Sequence, residues 1–234
     1  MTAAPLHAAL GTPAPANPSA LRVAVGLPLG AVTPSEPIAV VETPEGLAQI
    51  RTPGCAAVLW HRPPPPGLLD WLAGLPPERL PAMRAVLHPE DAAAALRTAC
   101  DAAGTPEGPE RARLVSDIAD LAERFAALMR APLLQLRLDL VTTDACRRFH
   151  IDAVTARLLC TYRGTGTQLG IAPDGRDPDS IHSATPGTVL ILRGTLWPTD
   201  PATSLRHRSP PIAGTGETRL LLVLDPIFNP EDAA

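Results

Sequence analysis

After Pro132 the hydrophobic period of this chain changes from helical to extended, and no other feature narrows its possible folds so far. Upstream, Leu114, Ile118, Leu121, Phe125 and Leu128 recur at three- and four-residue spacing and make one apolar stripe. Downstream, Leu134, Leu136, Leu138 and Leu140 alternate with Gln135, Arg137 and Asp139, the pattern of a half-buried strand. The first pattern predicts a helix from Pro109 to Met129. Arg113, Asp117, Asp120, Glu123 and Arg124 lie largely off its stripe and read as a solvated face. Shorter helices are expected over Leu68–Leu75, with Trp71 on the apolar face, and from His88-Pro89-Glu90-Asp91 to about Ala103, where Gly104 and Pro106 close it.

Strands are expected at Ala56 to Trp60, Phe149 to Asp152, Ala156 to Tyr162, Thr188 to Leu192 and Thr218 to Leu224. The first is ended by His61-Arg62 and the prolines Pro63 to Pro66, which cannot continue a ladder. Turn residues separate the others: Gly164-Thr165-Gly166, Pro173-Asp174-Gly175, Pro186-Gly187 and Gly214-Thr215-Gly216. Helices first and strands after predict an α+β fold with a β-sandwich or jelly-roll core in the C-terminal half. Four stretches follow. Residues 1–20 are an Ala/Pro/Thr-rich, disordered lead; 21–131 mix extended and helical pieces; 132–228 form the strand-rich core; 229–234 are a tail.

Composition removes several functions. All 20 basic residues are arginine, so Schiff-base lysine chemistry and a phosphate-loop lysine are excluded. A net charge of −4 makes no electrostatic case for nucleic acid or an acidic membrane surface. No run of 18 apolar residues predicts a membrane span. Residues 1–20 hold no Lys or Arg, so a secretory signal is not expected. Cys55, Cys100, Cys146 and Cys160 form no Cys-x-x-Cys pair and read as free thiols of a reducing cytoplasm.

The chemistry-bearing constellation is His150-Ile151-Asp152, then His207, then Arg219. On a strand, residues two apart share a face, so His150 and Asp152 would project together while Ile151 packs the other way. Two imidazoles and one carboxylate can hold one face of an octahedral iron(II), and the same donors suit manganese or zinc. Arg219 opens an otherwise apolar strand and needs a partner, either an anionic ligand or Glu217 or Asp225. Cys146 or Cys160 could convert the cluster into a softer zinc site, and His182 is an alternative third ligand. Arg147, Arg148, Arg157 and Arg163 read as solvated arginines or a basic rim. His61 and His88 sit beside prolines and read as surface residues.

This order of residues resembles the iron(II)- and 2-oxoglutarate-dependent oxygenases over residues 134 to 226. Their double-stranded β-helix carries a His-x-Asp pair, a later strand begun by Pro-Gly (here Pro186-Gly187), a distal histidine and an arginine on the next strand. The resemblance implies N-terminal helices packed on a C-terminal jelly-roll or cupin-like core. It implies iron(II) held by His150, Asp152 and His207, with Arg219 on the far carboxylate of 2-oxoglutarate. If one strand runs unbroken from His150, Tyr162 shares the parity of the ligands and can reach that carboxylate; the stronger reading is core packing with its hydroxyl satisfied. The activity implied is that of a dioxygenase hydroxylating an unknown substrate. The stretches Asp144 to Asp152 and Arg157 to Tyr162 also resemble the bacterial family called domain of unknown function 1826, over residues 50 to 228. That likeness implies no particular activity. A second functional expectation is a zinc-binding, cupin-like protein of metal handling without oxygenase activity.

Overall fold

The computed structural model describes residues 37–144, 146–172, 176–198, 203–229 and 231. The lead over 1–20, the turn at Pro173-Asp174-Gly175 and most of the tail over 229–234 lie outside them. Along the chain come β1 (Ile38–Val41), β2 (Ala57–Trp60), α1 (Leu68–Gly74), β3 (Met83–Leu87), α2 (Ala92–Ala102) and α3 (Pro109–Met129). Then come β4 (Leu133–Val141), β5 (Ala156–Arg163), β6 (Gln168–Ile171), β7 (His182–Ser183), β8 (Val189–Arg193), β9 (Leu205–Arg208) and β10 (Arg219–Ile227).

The ends of α3 follow from its terminal residues. Pro109 occupies the first turn, where its missing N–H costs nothing. At the other end Arg130 takes a left-handed conformation (φ 55°) and the Ala131 N–H returns to the Ala126 carbonyl at 3.0 Å. Leu114, Ile118, Leu121 and Phe125 are buried against the sheet, each contributing about 1.5–3 kcal/mol. α3 packs on β4 and β10, and α1 packs on α3 and β5.

The strands form two sheets. The larger has the order β1-β2-β8-β5-β10-β4-β3, and the smaller β7-β6-β9. Among the described residues only β1 and β2 pair in parallel; the other pairs are antiparallel. His150 adds a single bridge to β9, opposite His207. From β4 onward the chain alternates between sheets: β4 in the larger, His150 in the smaller, β5 larger, β6 and β7 smaller, β8 larger, β9 smaller, β10 larger. Pairing β8-β5-β10-β4 against β7-β6-β9-His150 is the double-stranded β-helix, or jelly roll. β1, β2 and β3 come from the N-terminal half and lengthen the larger sheet at both ends.

Alternation along the strands divides the core in two. Leu158, Cys160, Tyr162, Leu220, Leu222 and Leu224 join the helices. Leu159, Leu169, Leu190, Leu192, Leu205, Leu221 and Val223 form a second cluster drawn from both sheets. The central strands β8 and β10 are therefore apolar on both faces, which is why they read as continuous apolar runs.

Several expectations change. No strand runs over Phe149–Asp152; only His150 bridges. The polar segment around His207 is β9, an extended Leu-Arg-His-Arg whose charged alternate positions conceal it. β1, β3, β6 and β7 were not predicted, being two to five residues long. Asp117 is not on a solvated face: it is 8% exposed, ion-paired with both terminal nitrogens of Arg62, and accepts the Tyr162 hydroxyl. Arg163 caps carbonyls instead, donating to Leu72 and Leu75 at 3.1 and 2.7 Å. Among the described residues no helix is long and apolar enough to cross a membrane.

The Arg62–Asp117 pair ties the segment after β2 to α3, and the Arg62 guanidinium lies 5.2 Å from the Trp60 ring centroid. Removing one member of such a buried pair leaves a charge stranded in a low-dielectric site. Arg62→Leu is expected to lower stability by about 3–5 kcal/mol, read from the urea midpoint, whereas Arg113→Leu on the exposed face should change it by no more than about 0.5 kcal/mol.

Candidate metal centre

The centre begins with a backbone pair. His150 and His207 exchange two hydrogen bonds, N–H to carbonyl, each 3.0 Å. Directly opposed residues of an antiparallel pair send their side chains to the same face. Their imidazole centroids accordingly lie 4.5 Å apart, tilted by 46°. On β9, His207 shares its face with Leu205, so it points into the space between the sheets and is 8% exposed.

Asp152 reaches the same point from a loop, not from a strand. Its carbonyl accepts the Thr195 N–H at 2.9 Å, while Gly194 N–H donates to Thr155 (2.9 Å) and Leu196 N–H to Val154 (3.1 Å). These bonds fasten the 152–155 segment to the turn after β8. The approach is close enough that a Cβ on Gly194 would fall 1.8 Å from the Val154 carbonyl oxygen.

One ligand atom from each of His150, Asp152 and His207 lies within 4.8 Å of the other two. His150 Nε2 is 3.5 Å from Asp152 Oδ1, and His207 Nε2 is 3.0 Å from Asp152 Oδ2. His150 Nδ1 lies 2.8 Å from the Arg148 carbonyl, which can only accept. The proton therefore belongs on Nδ1 and leaves the Nε2 lone pair facing inward. Asp152 Oδ2 is buried and receives no hydrogen bond despite the nearby imidazole. Burial drives the Asp152 pKa upward, but the two imidazoles and Arg157 outweigh it and hold the carboxyl far below the usual carboxylate range. Contact with Asp152 raises His150 against its burial; burial lowers His207 against the same carboxylate. Converging lone pairs around a buried, unpartnered carboxylate oxygen fit a divalent cation with nitrogen and oxygen ligands.

Arg219 is fully buried and forms no ion pair among the described residues. Its Nε donates to the Thr165 carbonyl (2.6 Å), Nη1 to Ser209 Oγ (3.1 Å) and Nη2 to Thr161 Oγ1 (3.5 Å). Neither expected carboxylate pairs with it. Glu217 turns to the Thr165 N–H and hydroxyl, at 2.6 and 3.0 Å. Asp225 pairs with Arg157 and Arg137. Burial lowers the Arg219 pKa, with Glu217 opposing. A cation held in the interior by neutral oxygens alone is costly and suited to an incoming anion. Arg219 shares the between-sheet face of β10 with Leu221 and Val223, the face of the cluster that also holds Leu205 beside His207, and its partner Ser209 stands two residues beyond His207.

The structure does not bring Tyr162 to this interior. It lies on the helix-facing side of β5 with Cys160, its hydroxyl on Asp117. Burial pushes the Cys160 thiol up to about 11, and Cys146 is exposed. Neither cysteine belongs to the three-residue cluster. His61, His88 and His182 are exposed, as are Arg147 and Arg148. Arg157, read from the sequence with Arg163 as a solvated arginine or part of a basic rim, lies inside instead. It contacts Asp152 Oδ1 and grips both oxygens of Asp225 at 2.7 Å. The available signal was parity: Arg157 and Leu159 share the interior face of a buried strand.

Fold and cluster together define a double-stranded β-helix protein with a candidate site of two histidines and one carboxylate. The chain belongs to the family described as Protein of unknown function (DUF1826), which it matches over residues 41–225. No curated protein matches the sequence. Among solved structures it is similar to a rice dioxygenase for auxin oxidation (16% identity, 83% of this chain and 84% of that one, TM-score 0.47). It is also similar to dioxygenase for auxin oxidation 1 from Arabidopsis thaliana in its 2-oxoglutarate complex (11%, 84% and 95%, TM-score 0.49). A third similar structure is full-length Neurospora crassa T7H with alpha-KG (15%, 80% and 77%, TM-score 0.39). Strand order, independent of these likenesses, defines the fold.

The close approach at Gly194 makes a test of how Asp152 is placed. Gly194→Ala must displace the 152–155 backbone and is expected to cost roughly 1–3 kcal/mol. Folded Gly194→Ala protein should also carry substoichiometric metal, measured by elemental analysis after loading with a divalent ion.

Proposed function

We propose that this protein is a non-haem iron(II), 2-oxoglutarate-dependent oxygenase that hydroxylates a C–H bond of its substrate. The observation that carries the reading is the pairing of two features in one interior. One is the inward-facing nitrogens of His150 and His207 around the unpartnered Asp152 Oδ2. The other is the buried Arg219, without a counter-ion among the described residues.

His150, Asp152 and His207 would hold the metal, and Arg219 would hold the distal carboxylate of 2-oxoglutarate. Iron(II) with 2-oxoglutarate and oxygen supplies the oxidising chemistry, which no side chain of the protein can provide. The chain binds, orients and shields. The Arg148 carbonyl fixes the His150 tautomer. Arg219 offers a planar fork of donors matched to a carboxylate. Leu159, Leu169, Leu190, Leu205 and Leu221 line the space between the sheets and exclude water from it.

The same two imidazoles and carboxylate also suit zinc, the basis of the alternative, a cupin-like metal-handling protein. A cysteine-rich version of that alternative has no support in the geometry, since Cys160 faces the helices.

Protein loaded anaerobically with iron(II) and titrated with 2-oxoglutarate is expected to develop a visible charge-transfer band. His150→Ala and Asp152→Ala should each lose the metal with the fold retained by circular dichroism. Arg219→Leu should keep the metal and lose the band. One equivalent of tightly held zinc, with no band from the iron form, would overturn the oxygenase reading in favour of metal handling.

A further inference from the structure

The interior face of the larger sheet carries a chain of charges that ends on the candidate metal site. Asp225 on β10 is 3% exposed. Its two oxygens each accept a hydrogen bond at 2.7 Å, one from Arg157 Nε and one from Arg157 Nη2. Arg137 on β4 approaches the same carboxylate at 3.5 Å. The third nitrogen of the Arg157 guanidinium, Nη1, points away from Asp225 and onto Asp152 Oδ1. The two carboxylates are thus bridged by one rigid guanidinium.

We propose that Arg157, clamped by Asp225, is a positioning residue that occupies Asp152 Oδ1 and reserves Oδ2 alone for the metal. This rests on the metal site proposed above. The division of the carboxylate is visible in the structure: Oδ1 is taken by Arg157, whereas Oδ2 is buried, accepts no hydrogen bond and lies 3.0 Å from His207 Nε2. A carboxylate free to turn could present both oxygens to the cation and consume a position the co-substrate needs. The bidentate grip of Asp225 removes that freedom, because a planar guanidinium fixed along one edge can offer its last nitrogen in only one direction. β5 and β10 are adjacent strands, so their pairing sets the Arg157–Asp225 geometry.

A charge argument makes the inference testable by sign. A guanidinium beside a ligand carboxylate repels an incoming cation. If Arg157 were only a neighbouring charge, removing it would tighten metal binding. If it positions Asp152, removing it weakens binding, by roughly 10–100-fold for an outer residue of this kind.

The experiment is Co(II) titration of the full chain, followed by the d–d absorption bands and competition with a chelator, with folding checked by circular dichroism and melting. Arg157→Leu and Arg157→Lys are expected to weaken Co(II) binding about 10–100-fold and to alter the band shape. Lysine fails to rescue because a single ammonium cannot serve both carboxylates. Asp225→Asn keeps the Arg157 charge, touches no ligand, and is expected to weaken binding about 10-fold. The double variant Arg157→Leu/Asp225→Asn should be no weaker than Arg157→Leu, since both act through one contact. Should Arg157→Leu fail to fold because it strands Asp225, the double variant removes both charges and carries the test with Asp225→Asn. Folded Asp225→Asn with wild-type affinity and spectrum, or tighter binding in the double variant, overturns the positioning role while leaving the metal site intact. Wild-type protein that binds no Co(II) overturns the metal site itself, and the positioning role with it.

Discussion

β10 is hydrogen-bonded along both edges, to β4 from Arg219 to Ile227 and to β5 from Leu220 to Leu224. It joins the first and third strands of the jelly roll, and everything else is arranged around that pairing. Its helix-facing residues Leu220, Leu222 and Leu224 meet α3 and the other helices; its interior residues Leu221 and Val223 meet the smaller sheet. The same interior parity places Arg219 at one end and Asp225 at the other. One strand thus carries the buried Arg219 and the carboxylate that reaches Asp152 through Arg157. Register errors are penalised strongly here, because a one-residue slip would exchange the two faces and bring apolar side chains to both polar ends.

The charges of the interior are kept by partition. Asp152, Arg157, Asp225 and Arg137 form a compensated chain at one end, so each burial cost is met by an ion pair. Arg219 at the other end has only neutral oxygens as partners among the described residues. A third charged group, Arg62–Asp117 with Tyr162, lies on the opposite side of β5 and belongs to the helix layer. Alternation along β5 separates the two: Arg157, Leu159 and Thr161 face one way, Leu158, Cys160 and Tyr162 the other. The register of β5 with β10 shifts between Leu220 and Leu221, where Tyr162 is the extra residue. Such bulges re-aim the side chains around them.

Much of this was legible in the sequence. The helical period predicted Pro109–Met129 without a shift at either end, and the alternation after Pro132 located β4. Strands β2, β5, β8 and β10 were visible as apolar runs bounded by turn residues. The His150, Asp152 and His207 constellation could be singled out because its residue types suit a metal. Short strands were not legible: β6, β7 and β9 owe their extended form to pairing with one another, and a segment such as Leu205–Arg208 has no apolar period to show. Tyr162 was placed near the site by assuming that one strand ran unbroken from His150. The loop at 151–155 breaks that strand, and the parity count does not survive it.

Local patterns act over a few residues, so the sequence by itself determined where helix and strand periods lie, which residue types could bind a metal, and that lysine chemistry is absent. Tertiary structure decided which of those residues meet. His150 and His207 face each other only because two distant segments exchange a pair of backbone hydrogen bonds. Asp152 joins them only because its loop is tied to the turn after β8. Whether an arginine is solvated, paired or left without a counter-ion depends on which sheet face it occupies and what the neighbouring strand presents. Arg147, Arg157 and Arg219 are alike in composition, and their positions in the fold make one a surface charge, one a bridge between two carboxylates and one a buried cation.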